Sequence, residues 1–188
     1  FDPQLTLEVV EKEKCTSLYG VPTMFIATLH ELDLKNYDLS SLRTGVMAGA
    51  VCPPEVMKRV ENQMNMKEVT ICYGMTETSP VSTQTKIGTP FEKQIHSVGT
   101  IHDHLEIKII NPETGKIVNR GENGELCTRG YSVMLKYWDN PEATHQVLDS
   151  ARWMHTGDLA MMDEEGYIHI SGRIKDLIIR GGENISPK

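Results

Sequence analysis

Over residues 1–95, short β-favouring runs alternate with helical ones, and a chain with that rhythm has few places to bury both kinds of element. A parallel sheet covered by helices is the arrangement that satisfies it. Asp2-Pro3 forms a helix start, with Asp2 as cap and Pro3 in the first turn, and the spacing predicts a helix over 3–14. Strands follow at 16–19, 44–48 and 69–73, separated by helices at 23–32 and 54–63. Near residue 95 the character changes to short strands at 105–110, 116–118 and 125–128, a hairpin after residue 158, and one helix at 141–148. Asn111-Pro112-Glu113-Thr114-Gly115 is a turn whose Pro and Gly supply the required backbone angles. The expected fold class is α/β, a helix-covered parallel sheet portion (1–95) followed by a small distorted β-barrel subdomain or sandwich (96–172).

The third strand runs into Thr70-Ile71-Cys72-Tyr73-Gly74-Met75-Thr76-Glu77-Thr78-Ser79-Pro80, where a glycine turn ends in a hydroxyl beside a carboxylate. Open α/β sheets bind ligands at the carboxyl ends of their strands. At such a position Tyr73 can stack on a base, Thr76 can donate to a phosphate oxygen, and Glu77 can hold the Mg²⁺ that accompanies a triphosphate. Ala48-Gly49-Ala50, after the second strand, has no large side chain and lets a flat ring approach its backbone.

Trp153-Met154-His155-Thr156-Gly157-Asp158 is followed by Gly172-Arg173-Ile174-Lys175-Asp176. The residues between read as a hairpin, strand 158–162, turn 163–166 and strand 167–171, in a register that sets Asp158 opposite Ser171. Arg173 then lies two residues beyond that partner. A carboxylate and a guanidinium share one rim, where Asp158 can accept from both hydroxyls of a ribose.

With 19 basic against 26 acidic residues the net charge is −7, and no basic stripe alternates with aromatics. Nucleic acid is therefore disfavoured as a partner. Anionic small molecules would need local cations such as Arg173, Lys175 and Arg180. No apolar run reaches the ~20 residues a membrane-spanning helix needs. Cys15, Cys52, Cys72 and Cys127 are far apart, which argues against a disulfide framework or a metal site, and packing is the expected role of Cys72 and Cys127. The seven histidines form no ligand cluster in the sequence, and Gly20-Val21-Pro22-Thr23 reads as the opening of a helix whose Met24, Phe25 and Leu29 are buried.

Tyr73-Gly74-Met75-Thr76-Glu77, Thr156-Gly157-Asp158, Gly172-Arg173-Ile174-Lys175-Asp176 and Arg180-Gly181-Gly182-Glu183-Asn184-Ile185 stand in the order found in adenylate-forming enzymes. From end to end the chain resembles the acyl-CoA synthetases of that superfamily. The resemblance implies ATP, Mg²⁺ and coenzyme A, and a fatty carboxylate that attacks the α-phosphorus of ATP before the acyl group passes to a thiol. By the same resemblance, Thr76 and Glu77 are the catalytic candidates, with Glu77 also the metal ligand. Gly49, Ala50, Tyr73, Gly74, Thr76, Asp158 and Arg173 contact the nucleotide, and Lys175 is the hinge on which a smaller domain turns. Residues 173–188 then belong to the hinge and the start of that domain.

The family's phosphate-binding loop and catalytic lysine have no counterpart in these residues, so the expectation is an internal piece of a larger enzyme that makes no acyl-CoA by itself. Resemblance to mitochondrial, medium-chain members implies that localisation and substrate. Two other readings stay open: adenylation with a different acceptor, as in luciferases or transfer to a carrier protein, and a non-enzymatic module that keeps the fold.

Overall fold

In the computed structural model, which describes residues 1–176, 178–180 and 183–185, the chain divides into two compact units. Phe1–Cys72 with Thr85–His96 form the first, and Tyr73–Gln84 with Ser97–Lys188 the second.

The first unit begins with α1 (Pro3–Glu13), started by Asp2, whose Oδ1 accepts from the Leu5 N–H at 2.9 Å, and ended by Lys14 in the left-handed region. Strand β1 (Ser17–Gly20), helix α2 (Pro22–Leu34), strand β2 (Thr44–Ala48), helix α3 (Pro54–Gln63) and strand β3 (Glu68–Gly74) follow. The strands pair in parallel, Ser17 with Thr44 and Thr44 with Glu68, so the predicted alternation produces the predicted sheet. Its helices are anchored by apolar faces: Phe25 and Leu29 of α2, Met57 and Val60 of α3 and Met47 of β2 are at most 1% exposed. Each is worth about 1.5–3 kcal/mol when buried, far more than surface pairs such as Lys58 with Glu55 contribute. Arg59 ties α3 to α2 through Asp33 at 2.6 Å.

The second unit contains β4 (Val81–Gln84) and β5 (Thr100–Ile101), an antiparallel pair. It also holds a four-stranded antiparallel meander of β6 (Leu105–Ile110), β7 (Asn123–Gly130), β8 (Met154–Met162) and β9 (Ile168–Arg173), in that spatial order. Helix α4 (Phe91–His96) belongs to the first unit, and α5 (Pro141–Val147) lies between β7 and β8 in sequence. Ile109, Leu126, Ala160 and Ile168 form the core of the meander. Among the described residues the sheet does not close into a barrel. The expected strand at 116–118 is reduced to one bridge, Ile117 with Ile110.

The hairpin after Asp158 has the predicted strands in a different register. Met162 pairs with Ile168, Met161 with His169 and Ala160 with Ile170, which lengthens the connection to residues 163–167. Asp163 causes this: its Oδ1 accepts from the N–H groups of Glu165 and Tyr167, and its Oδ2 lies 3.0 Å from His169 Nε2. Burial opposes the charge on Asp163, but these donors outweigh it and hold the carboxyl below its usual range. A bulge then places Leu159 against Gly172, and Asp158 pairs with Arg173 rather than with Ser171. Each one-residue shift moves the partner by one, so the two together account for the displacement.

Candidate nucleotide site

Strand β3 ends on Gly74 because nothing larger fits there; a Cβ would collide with the Pro80 carbonyl. The turn that follows folds back on Thr78, which is 1% exposed. Its hydroxyl accepts from the Met75 N–H at 3.1 Å and lies 3.0 and 2.9 Å from the carbonyl oxygens of Met75 and Pro80. Met75 itself packs against the buried group of Val133, Leu148 and Met154. The turn is thereby fixed from below, which leaves Thr76 exposed and Glu77 half-buried.

Tyr73 and Asp158, 85 residues apart in sequence, meet in the second unit: the Tyr73 hydroxyl donates to Asp158 Oδ2 at 2.6 Å. The Tyr73 ring packs on the core of the meander. Burial first, and the Asp158 hydrogen bond second, push its phenol far above the ordinary tyrosine value, so it stays a donor at every physiological pH. Arg173 Nε stands 3.7 Å from Asp158 Oδ1, an ion pair too long for a hydrogen bond, with 62% of the arginine side chain exposed. Asp158 thus keeps an oxygen that a hydroxyl can approach beside an exposed cation's charge.

Asp158 owes its position to a bulge on its other side. Glu125 pairs with Leu159 and Cys127 with His155, so one residue of β7, Leu126, faces three of β8, Thr156, Gly157 and Asp158. Gly157 takes a positive φ of 71°, although a Cβ would meet nothing within 4 Å. Conformation rather than space requires glycine here. The Thr156 hydroxyl donates to the Leu126 carbonyl at 2.7 Å and accepts from the Asp158 N–H at 3.2 Å.

Glu77 is held from outside its own motif. The Tyr137 hydroxyl donates to Glu77 Oε1 at 2.7 Å, and this bond, with burial second, pushes the Tyr137 phenol up to about 12. Tyr137 is in turn set by its N–H on the Thr144 hydroxyl at 3.0 Å, and the Met134 N–H donates to the Glu77 carbonyl at 2.8 Å. The signal was available only in part, as an aromatic shortly before the Asn140-Pro141 helix start.

Of the remaining candidates, Gly49 and Ala50 lie in the first unit at the carboxyl end of β2, both exposed, with Gly49 at a φ of 88°. Lys175 is exposed in a short 3₁₀ turn, Ile174–Asp176. Arg180 lies in a strand (Ile178–Arg180) paired with another (Glu183–Ile185), while Gly181 and Gly182 lie outside the described residues. Three side chains separated in sequence also come together: His155 Nδ1 is 2.9 Å from Glu125 Oε2 and 3.6 Å from Cys127 Sγ. Cys127 is buried as expected, and burial and then Glu125 push its thiol up to about 12.

Comparison with known proteins places this geometry in context. Residues 1–138 match the family described as AMP-binding enzyme. The whole chain is 55% identical to the Bacillus subtilis (strain 168) protein YngI, named as an acyl-CoA synthetase, and covers 34% of it. It is 51% identical to the medium-chain acyl-CoA ligase ACSF2, mitochondrial, of Danio rerio, again over its full length and 31% of that relative. The chain therefore spans about a third of the length of these curated relatives. Among solved structures, ATP-bound MatB from Rhodopseudomonas palustris superposes with a TM-score of 0.85 at 31% identity, covering all of this chain and 36% of that one. With more than half its residues matched, the chain belongs to the AMP-binding enzyme family.

Proposed function

We propose that this chain forms the nucleotide-holding part of an ATP-dependent acid–thiol ligase, which activates a fatty carboxylate as its acyl-adenylate and transfers it to coenzyme A. The observation that carries the reading is the 2.6 Å bond between Tyr73 and Asp158, which joins two motifs at one place. Asp158 accepts hydrogen bonds from the ribose hydroxyls, Tyr73 offers its ring to adenine while its hydroxyl orients Asp158, and Gly74 is a candidate contact through its own backbone. Thr76 donates to the α-phosphate and Arg173 supplies positive charge to ribose or phosphate.

Glu77 fits a magnesium ligand. Tyr137 occupies one carboxylate oxygen, and a hard oxygen donor at a half-buried position suits an ion that takes one or two carboxylates plus substrate phosphates. The ion supplies charge neutralisation when bound; Tyr137 keeps Glu77 in place before it arrives. Gly49 and Ala50 are candidates on the first unit for contact with a flat ring, and Lys175 is the candidate hinge. The name of the Danio rerio relative supports a medium-chain substrate and a mitochondrial setting.

Calorimetric titration of AMP into the chain and into Asp158→Ala tests the reading. Losing two hydrogen bonds to a charged acceptor, roughly 1.5–3 kcal/mol each, is expected to weaken binding by at least about a hundredfold. Equal affinities in the two proteins would remove Asp158 from the site.

A further inference from the structure

The bulge that presents Asp158 leaves backbone groups that the β-ladder cannot satisfy, and one buried acid takes up the slack. Glu125 is 8% exposed, and each of its carboxylate oxygens has its own donor: Oε1 accepts from the Gly157 N–H at 3.2 Å, and Oε2 lies 2.9 Å from His155 Nδ1. Gly157 immediately precedes Asp158 and holds a positive φ of 71°. Together with Thr156, which satisfies the Leu126 carbonyl and the Asp158 N–H, Glu125 gives three of the bulge's backbone groups a side-chain partner.

Glu125, Cys127 and His155 are the set of three ligating side chains that lie within 4.8 Å of one another among the described residues. Their geometry is that of a hydrogen-bonded array: the carboxylate already has a donor on each oxygen, and the imidazole nitrogen facing the thiol is the one facing the carboxylate. An unpaired carboxylate at this depth would cost several kcal/mol, so the array exists to hold the acid where it stands.

We infer that Glu125 is a positioning residue, a clamp that fixes the bulge so that Asp158 is aimed at the ribose before the nucleotide arrives. This rests on the ribose assignment above. Pre-aiming saves the ordering cost that binding would otherwise carry, so its loss shows in affinity rather than only in stability.

The test uses Glu125→Ala, Glu125→Gln and Asp158→Ala in the full chain, with AMP affinity by calorimetry, thermal unfolding, and amide hydrogen exchange at Gly157. Glu125→Ala is expected to weaken AMP about tenfold and to speed exchange at Gly157. Glu125→Gln, which keeps an acceptor for that N–H, is expected to stay within about threefold of the unaltered chain. Should Glu125→Ala fail to fold, Glu125→Asp keeps the charge but draws it back by one methylene, and the same loss of affinity is expected. Unchanged AMP affinity in Glu125→Ala or Glu125→Asp, beside a lost affinity in Asp158→Ala, overturns the clamp alone. A lowered melting temperature with undiminished binding by the folded protein also overturns it. Unchanged affinity in Asp158→Ala overturns the ribose assignment and the clamp with it.

Discussion

The two units position their residues by opposite means. In the first, apolar burial sets the geometry: Leu7, Met47, Met57, Met64 and Met66 are wholly buried, and the parallel strands run in unbroken register. In the second, hydrogen-bonded polar groups contribute as well: Glu125, Thr78 and Thr83 are buried with partnered side chains among bulged or short strands. Regular packing makes a frame that tolerates change in its surface but not its core. Bulges held by hydrogen bonds make a surface whose side chains are aimed individually, which is what recognition of a polar ligand needs.

If that contrast is right, deleting a core side chain in the first unit has the largest effect on stability. Phe25→Ala is expected to cost about 3–5 kcal/mol, read by denaturant unfolding, because Phe25 is 1% exposed. A loss below about 1 kcal/mol would mean the frame is not held by its core.

A smaller effect sharpens the polar side of the contrast. Tyr73 and Tyr137 both have phenols raised above the ordinary value of about 10, Tyr73 by burial and then Asp158, Tyr137 by its bond to Glu77 and then burial. Because the folded state favours the protonated phenol, the stability each contributes is complete below pH about 10 and is lost as pH rises through the folded value, about 12 for Tyr137. An alkaline absorbance titration should therefore show late-ionising phenols, and Tyr137→Phe should remove one of them. A titration curve of the same shape in Tyr137→Phe, with only its early amplitude reduced, would mean that Glu77 does not hold this phenol.

The same division explains what the sequence disclosed. Strand Thr44–Ala48, helix Pro54–Gln63 and strand Leu105–Ile110 were legible to the residue, because apolar periodicity and a proline at the helix start are local signals. Strand Val81–Gln84 was not, since Ser82 and Thr83 are buried hydroxyls in a place where pattern reading looks for apolar residues. The motifs around Tyr73 and Asp158 were found, but the pairing of Asp158 with Arg173 was not, because its register depends on the side chain of Asp163 and a bulge. Tyr137 and Glu125 escaped notice for a related reason: they act on residues 60 and 32 positions away, and nothing in their own neighbourhoods marks them.

The central claim is that the residues joined by the Tyr73–Asp158 bond receive one nucleotide. A crystal structure of the chain with AMP tests it most directly. Both ribose hydroxyls are expected within about 3 Å of the Asp158 carboxylate, with adenine against Tyr73. AMP ordered elsewhere, with Asp158 touching only Tyr73 and Arg173, would contradict it.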